Sequence, residues 1–420
     1  MSVNTQSNFQ LQQFLIAEYP PVGINQVLYI KYTEDIRAAT SHMEVQITDS
    51  ETGFLSQLRG MENVYIKMSD ANGDTELGGN FVIYDIQDRR TIQGKSAAVL
   101  MLCTIDFINN AANKISRRFG KGQGKKIDDI VRDEILIDLV GVEETRVPLV
   151  NFEPCINNFS FVSPYWNPFT AIRWLCSRAI PARKGSGSSS TAGYAFFETR
   201  SGYNFRSYDS FAYQAPVVTM VVGHEKGELE DEKDKNIIAL DSVNIESSVN
   251  LLQGLNLGSY SSNVMTIDLK DMMYKQYPFN INKYYNDIVT LNSGSAPEFY
   301  KGFDNELTFT RIMSKVSDSA LFTEGTYTQG YTKQLSQSSL REKLFYSKKV
   351  VVEFVSTDYK LEIGEVVQLD IYKGGRERAL DFANSGRYVI GKVERTFKSS
   401  EDKMTSRLTL YTDSDGATGK

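Results

Sequence analysis

The chain has 420 residues, of which 41% are hydrophobic and 23% charged, with 23 Tyr, 23 Phe and only 10 Pro; this is ordinary globular material for roughly two to four domains, and its aromatic content leans towards β structure. A formal net charge of −6 and a pI of about 5.3 leave no basic surface for phosphate neutralisation, so DNA is excluded as a specific ligand. The three cysteines, Cys103, Cys155 and Cys176, are odd in number and show no CxxC spacing, which argues against a disulfide framework and for structural thiols in a reducing compartment.

Met1 to Gln13 is polar, with no basic segment leading into an apolar one, so no secretory signal is readable. No stretch reaches the roughly 18 uncharged apolar residues of a spanning helix, and no membrane partner is expected. Strands are predicted at Val27–Ile30, at Met43–Ile47 and at Val64-Tyr65-Ile66, with a turn at Asp49 to Gly53 and a Gly/Asn/Asp-rich excursion from Asp70 to Gly79. Phe81-Val82-Ile83 and Ile86 then give a strand, Arg89 to Ser96 a polar turn, and Leu100, Leu102 and Thr104 a returning strand, which completes a first β domain over 22–112.

Gly120, Gly122 and Gly124 interrupt regular structure, and a helix is predicted from Lys126 with Ile127, Ile130, Val131 and Ile135 on one face. A second helix starts at Asn167-Pro168, read as an N-cap followed by proline at the first helical position, and stops at Pro181. Arg183 to Gly193 reads as a flexible Gly/Ser stretch, and Tyr194–Glu198 with Tyr203–Tyr208 as an aromatic hairpin about a Thr199–Gly202 turn. Together these make an α+β middle domain over 113–222. Glu225 to Lys235 is a solvated charge run. Strands at Ile237–Ile245 and Val264–Leu269, a polar insertion over 271–346 ending in a helix at Leu335–Tyr346, and the remaining strands to residue 415 form a second, split β domain over 237–270 and 347–415.

That last domain repeats the first. Tyr388-Val389-Ile390, Val393, a turn through Lys398 to Lys403, then Leu408, Leu410 and Thr412 match Phe81 to Thr104 position for position, with one extra residue assigned to the turn. Each hairpin is preceded by an apolar strand, Val64–Ile66 or Val366–Ile371, and a Gly-rich excursion, the second running from Gly374 to Gly386.

Catalytic chemistry is scarce by comparison. The only histidines, His42 and His224, lie far apart with no cysteine nearby, and no Ser/His/Asp or HExxH arrangement can be assembled. Gly120 to Lys126 lacks the GxxxxGK[ST] pattern of a phosphate loop, adjacent carboxylates such as Asp128-Asp129 do not face each other on a helix, and Asp70, Asn72 and Asp74 lack the glycine position and closing Glu of a calcium loop. No catalytic, cofactor-binding or metal-ligating set is therefore assigned.

Asn167 to Leu175 with the following aromatic hairpin resembles the middle domain of baseplate hub proteins of contractile-tailed phages, and Leu335–Tyr346, Val350–Phe354 and Leu361 to Leu369 are similar to the helix and strand pair opening that family's second barrel. The resemblance, over residues 25 to 415, implies an α+β, mainly β, fold with two similar tube-like β-barrel domains, a helix-containing middle domain and an insertion domain. It also implies a homotrimer in the virion tail baseplate, assembled in the host cytoplasm. A tail tube or tube-initiator protein would sit above, a separate spike protein below and a tape measure protein within reach, with DNA passing through unbound. The chain's end at Lys420 fits a spike carried by another protein. Phe81, Val82, Ile83, Leu100, Leu102, Tyr388, Val389, Ile390, Leu408 and Leu410 mark the candidate inter-subunit strands. The competing expectations are a peptidoglycan-degrading hydrolase, with carboxylates in Lys275–Lys333, and a hexameric tube or distal tail protein.

Overall fold

A computed structural model describes residues 10–49, 53–69, 76–92, 95–120, 124–182, 193–223, 237–246, 251–256, 258–268, 272–294, 311–317, 330–355, 361–373, 379–401 and 403–416. Residues 183–192 of the flexible stretch read at 183–193, the charge run at 225–235 and His224 lie outside these residues. Strand outweighs helix, about 48% to 22%, so the mainly β expectation holds.

The first unit is built from β1 (Gln10–Ile16), β2 (Val27–Asp35), β3 (His42–Asp49), β4 (Asn63–Ser69), β5 (Glu76–Ile92) and β6 (Lys95–Cys103), followed by helix α1 (Ile105–Ala112). Period-two alternation explains the packing: in β3, Met43, Val45 and Ile47 are buried while their neighbours face outward. The strands run in the order β1-β4-β5-β6-β3-β2 around one apolar core. β1 begins ahead of residue 22, in a segment too polar to read as a strand. The polar run from Arg89, read as turn, continues β5 as strand to Ile92.

The middle of the chain opens on a helical stretch, Ile127–Val140, whose Ile130–Val140 part is a π-helix. Ile127, Ile130, Val131 and Ile135 are all fully buried, as expected. The buried set nevertheless continues with Leu136 and Val140 at a spacing of five, which matches the wider turn of a π-helix. Helix α2 (Pro168–Cys176) starts where Asn167-Pro168 predicts, yet the Asn167 side chain does not cap it. Asn110 of α1 does: its Oδ1 accepts from the Phe169 N–H at 2.8 Å, while Asn167 Nδ2 donates to the Asn110 carbonyl at 2.9 Å. The aromatic hairpin is present as β7 (Tyr194–Thr199) and β8 (Gly202–Ser207), in register from Tyr194 opposite Ser207 to Thr199 opposite Gly202, and runs into the short helix α3 (Tyr208–Ala212).

Then come β9 (Thr219–Val222), β10 (Ile237–Leu240), β11 (Val243–Glu246), β12 (Ser261–Asp268), β13 (Met273–Asn280), β14 (Arg311–Ser317), helix α4 (Gly330–Phe345), β15 (Lys348–Val355), β16 (Val366–Ile371), β17 (Gly386–Lys398) and β18 (Lys403–Thr412). β12, read from sequence with the second unit, instead pairs with β13 and β14 in a separate three-stranded sheet. β9, read with the middle domain, joins the second unit by pairing parallel to both β10 and β16. Arg341 of α4 is buried to 1% exposure and pins this region together. Its guanidinium meets Asp209 and Asp413 at 2.9 Å each and donates to the Val289 carbonyl at 3.1 Å.

The repeat is visible in hydrogen-bond register. Val82 and Ile83 face Cys103 and Leu102 as Val389 and Ile390 face Tyr411 and Leu410, and a bulge follows at the same point, Tyr84 in one copy and Gly391 in the other. After it, Ile86 faces Leu100 as Val393 faces Leu408. The single extra residue of the second copy has two sources. Its hairpin loop, between Lys398 and Lys403, is two residues longer than the one between Ile92 and Lys95, and β5 offsets one of these with a further bulge between Gln87 and Arg90.

Candidate functional site

All the strands of both units belong to one 13-stranded sheet because β2 pairs with β3 on one side and with β17 on the other. The β2–β17 ladder is antiparallel, from Tyr29 opposite Lys398 to Asp35 opposite Lys392. Lys31 Nζ reaches Glu394 at 2.9 Å beside it. β17 thus serves both units: Tyr388, Val389, Ile390 and Val393 fill the second core, while Phe397 and its cross-strand partner Met404 fill the first.

A buried polar joint sits behind this ladder. The Tyr32 hydroxyl donates to Glu34 at 2.9 Å, and Arg395 donates to the Leu361 carbonyl. Burial pushes the Glu34 carboxyl up and the Arg395 guanidinium down. Nearby, Arg146 bridges Asp106, at 2.5 Å, and Glu198, whose other oxygen accepts from the Ser41 N–H at 2.9 Å. Burial raises Glu198 to about 7 against the pull of Arg146. Tyr32, Ser41, Asp106, Arg146 and Glu198 border a cleft of about 370 Å³ between the first unit and the β7–β8 hairpin. Glu362, just before β16, accepts from the Ser201 hydroxyl at 2.8 Å and meets Arg200 at 3.3 Å. The hairpin is therefore tied to both units, and the carboxylates are matched to arginines that hold the lobes together.

Among the described residues no group of three or more His, Cys, Asp or Glu is arranged to hold a metal. His42 is half-buried in β3 with its ring 5.5 Å from Phe107, and desolvation lowers its pKa. All three cysteines are buried and free, and burial raises each thiol. Much of Lys275–Lys333 lies outside the described residues.

The ten candidate inter-subunit residues fall on β5, β6, β17 and β18, and every one of their side chains is buried within the chain, from 0% for Ile83, Leu100 and Leu102 to 6% for Phe81. Two edges are open. β11 pairs with β15 alone among the described strands, with Ile245 37% exposed. In β5, Asp85, Ile86, Gln87, Arg90 and Thr91 pair with β6 on one side, and Tyr84 to Thr91 are exposed apart from Ile86. The sequence held the signal for this second edge: Thr91 stands where the other copy has Phe397, and Ser96 where it has Met404.

No family model matches the chain, and no curated protein matches it. Among solved structures, a tail protein from Neisseria meningitidis MC58 matches with TM-score 0.57 and 8% identity over 96% of each chain. The 43 kDa tail protein of prophage MuSo2 from Shewanella oneidensis matches with TM-score 0.55 and 9% identity over 96% of this chain and 98% of that one. The chain has the fold of these tail proteins.

Proposed function

We propose that this chain is the central baseplate hub of a contractile phage tail, a non-enzymatic structural protein of the virion assembling as a homotrimer. The observation that carries this reading is the duplicated unit joined edge to edge through β2 and β17. Three chains would present six similar tube-like units in a ring, so a threefold particle meets a sixfold tail tube on one face and a threefold spike on the other. Each unit is proposed as one tube-like barrel, and the lobe holding the wide helix, α2 and the β7–β8 hairpin as the brace between them. The net charge of −6 suits a channel wall that DNA passes without adhering. The partners on this reading are a tube or tube-initiator protein, a separate spike protein and the tape measure protein, in a tail assembled in the host cytoplasm.

Light scattering on the purified chain, alone and co-expressed with a spike protein, tests the stoichiometry. Three chains per particle is the expected result. Six would favour a tube or distal tail protein, and a monomer that joins neither spike nor tube would overturn the hub reading. Turnover of peptidoglycan lost on carboxylate-to-amide changes in Lys275–Lys333 would favour the hydrolase.

A further inference from the structure

We propose that β11 of one chain adds antiparallel to the Asp85–Thr91 half of β5 in a second copy, repeating between chains the ladder that β2 and β17 form within one. This rests on the reading that the particle is built from copies of this chain, but the pairing it names is separable from their number.

The equivalence comes from register. Met43 and Val45 of β3 face Leu102 and Leu100, as Val350 and Val352 of β15 face Leu410 and Leu408. One strand further out, Tyr32 and Ile30 face Met43 and Val45, as Ile245 and Val243 face Val350 and Val352. β11 therefore occupies in the second unit the place of β2 in the first, and β5 occupies the place of β17. Of these four strands, β2 and β17 are covered by each other, whereas their counterparts are bare. Ile30 and Tyr32 are 1% and 4% exposed against 37% for Ile245, and Phe397 is fully buried where Thr91 is exposed. A second copy covers both open edges at once, because each edge is the complement of the other.

The register follows. Lys31 opposite Thr396 places Asn244 opposite Arg90 of the partner subunit, and Thr33 opposite Glu394 places Glu246 opposite Gln87 of the partner subunit. Arg90 of the partner subunit then lies diagonal to Glu246, an opposite-charge pair across the strands. The charges at Asp85, Asp88, Arg89 and Arg90 and the bulge between Gln87 and Arg90 are devices that keep indiscriminate strands off an edge. They leave it open to a strand in matching register. The two edges are different surfaces, so the contact is head-to-tail and generates a ring where the rotation closes.

Cysteine cross-linking of the full chain tests the pairing. Asn244 and Arg90 are exposed and the three native thiols are buried, so the introduced thiols are the reactive ones. With a short bis-maleimide, the N244C/R90C double variant should give covalent dimers and trimers, and co-expressed N244C and R90C single variants should give dimers only. Either single variant by itself should give none. A particle with three chains by light scattering that shows no cross-link at this pair, or an equal yield with N244C paired to an exposed site elsewhere such as T145C, would overturn the strand pairing while leaving the trimeric hub standing. Cross-linking in a six-chain particle would support the pairing and overturn the trimer. A failure of all variants to associate, alone or co-expressed with a spike or tube protein, would overturn both.

Discussion

Replacing Phe397 with Ala should destabilise the first unit, although Phe397 belongs by sequence to the second. The ring is fully buried and sits in the core formed by Phe14, Ile30, Val45 and Ile66, opposite Met404 on β18. Phe→Ala truncation in such a site removes transfer free energy and leaves a cavity, together about 3–5 kcal/mol, and Met404→Ala costs about 2–5 kcal/mol. Because the two side chains touch, the double variant should depart from additivity by about 0.5–3 kcal/mol. Thr91, at the equivalent point of the first copy, is exposed, so Thr91→Ala in the dissociated chain should stay within about 0.5 kcal/mol. Guanidinium unfolding followed by far-UV circular dichroism reads all four proteins. A loss below about 1 kcal/mol for Phe397→Ala, or an equal loss at Thr91, would refute the shared-core argument.

Arg341→Ala leaves Asp209 and Asp413 buried without their cation and should cost about 3–5 kcal/mol by the same denaturation assay, with part of the loss recovered when both carboxylates are also made amides. Glu198 is raised from 4.5 to about 7 by burial, so between those values the folded chain holds a proton that the unfolded chain has lost. Stability from this group is present below pH 4.5 and lost by pH 7, and Glu198→Gln should flatten that part of the melting-temperature profile; an unchanged slope would contradict it. Cys103, pushed up to about 12 by burial, and the still higher Cys155 and Cys176 should not react with a thiol reagent at neutral pH until the chain unfolds, so rapid labelling of any one in the native protein would show that its packing opens.

The hairpins of both units could be read from sequence because half of each strand faces a core, and period-two burial writes itself into side-chain type. The aromatic β7–β8 hairpin and the start of α2 were legible for similar local reasons. The far half of β5 was not. Asp85, Asp88, Arg89 and Arg90 face outward, and a strand exposed along one edge carries the polar composition of a turn. The β2–β17 ladder was hidden by distance, since pairing Tyr29 with Lys398 depends on which edges the intervening chain leaves open, and no local pattern records that. The π-helix was concealed because Ile127, Ile130, Val131 and Ile135 satisfy an α-helical face as well; only Leu136 and Val140 break the tie. The Asn110 cap shows the same limit, as Asn167-Pro168 predicts where a helix starts but not which side chain closes it.

The two kinds of junction differ in chemistry, and the difference orders folding before assembly. Within a chain the joint is sealed by Phe397 and Met404, apolar groups that have no stable place until β17 lies against β2, so the units cannot form fully apart. At the proposed junction between chains the same positions are Thr91 and Ser96, which water tolerates. A chain with both joints apolar would expose sticky edges as soon as it left the ribosome and invite pairing out of register. With one joint apolar and the other polar, the pair of units is completed inside each chain, and on the proposed pairing copies would meet later through backbone pairing whose register the bulges and charges select. Placing Phe at 91 and Met at 96 should therefore drive the chain to aggregate, and light scattering of the fresh eluate would show it; a variant that forms only discrete particles would break this account.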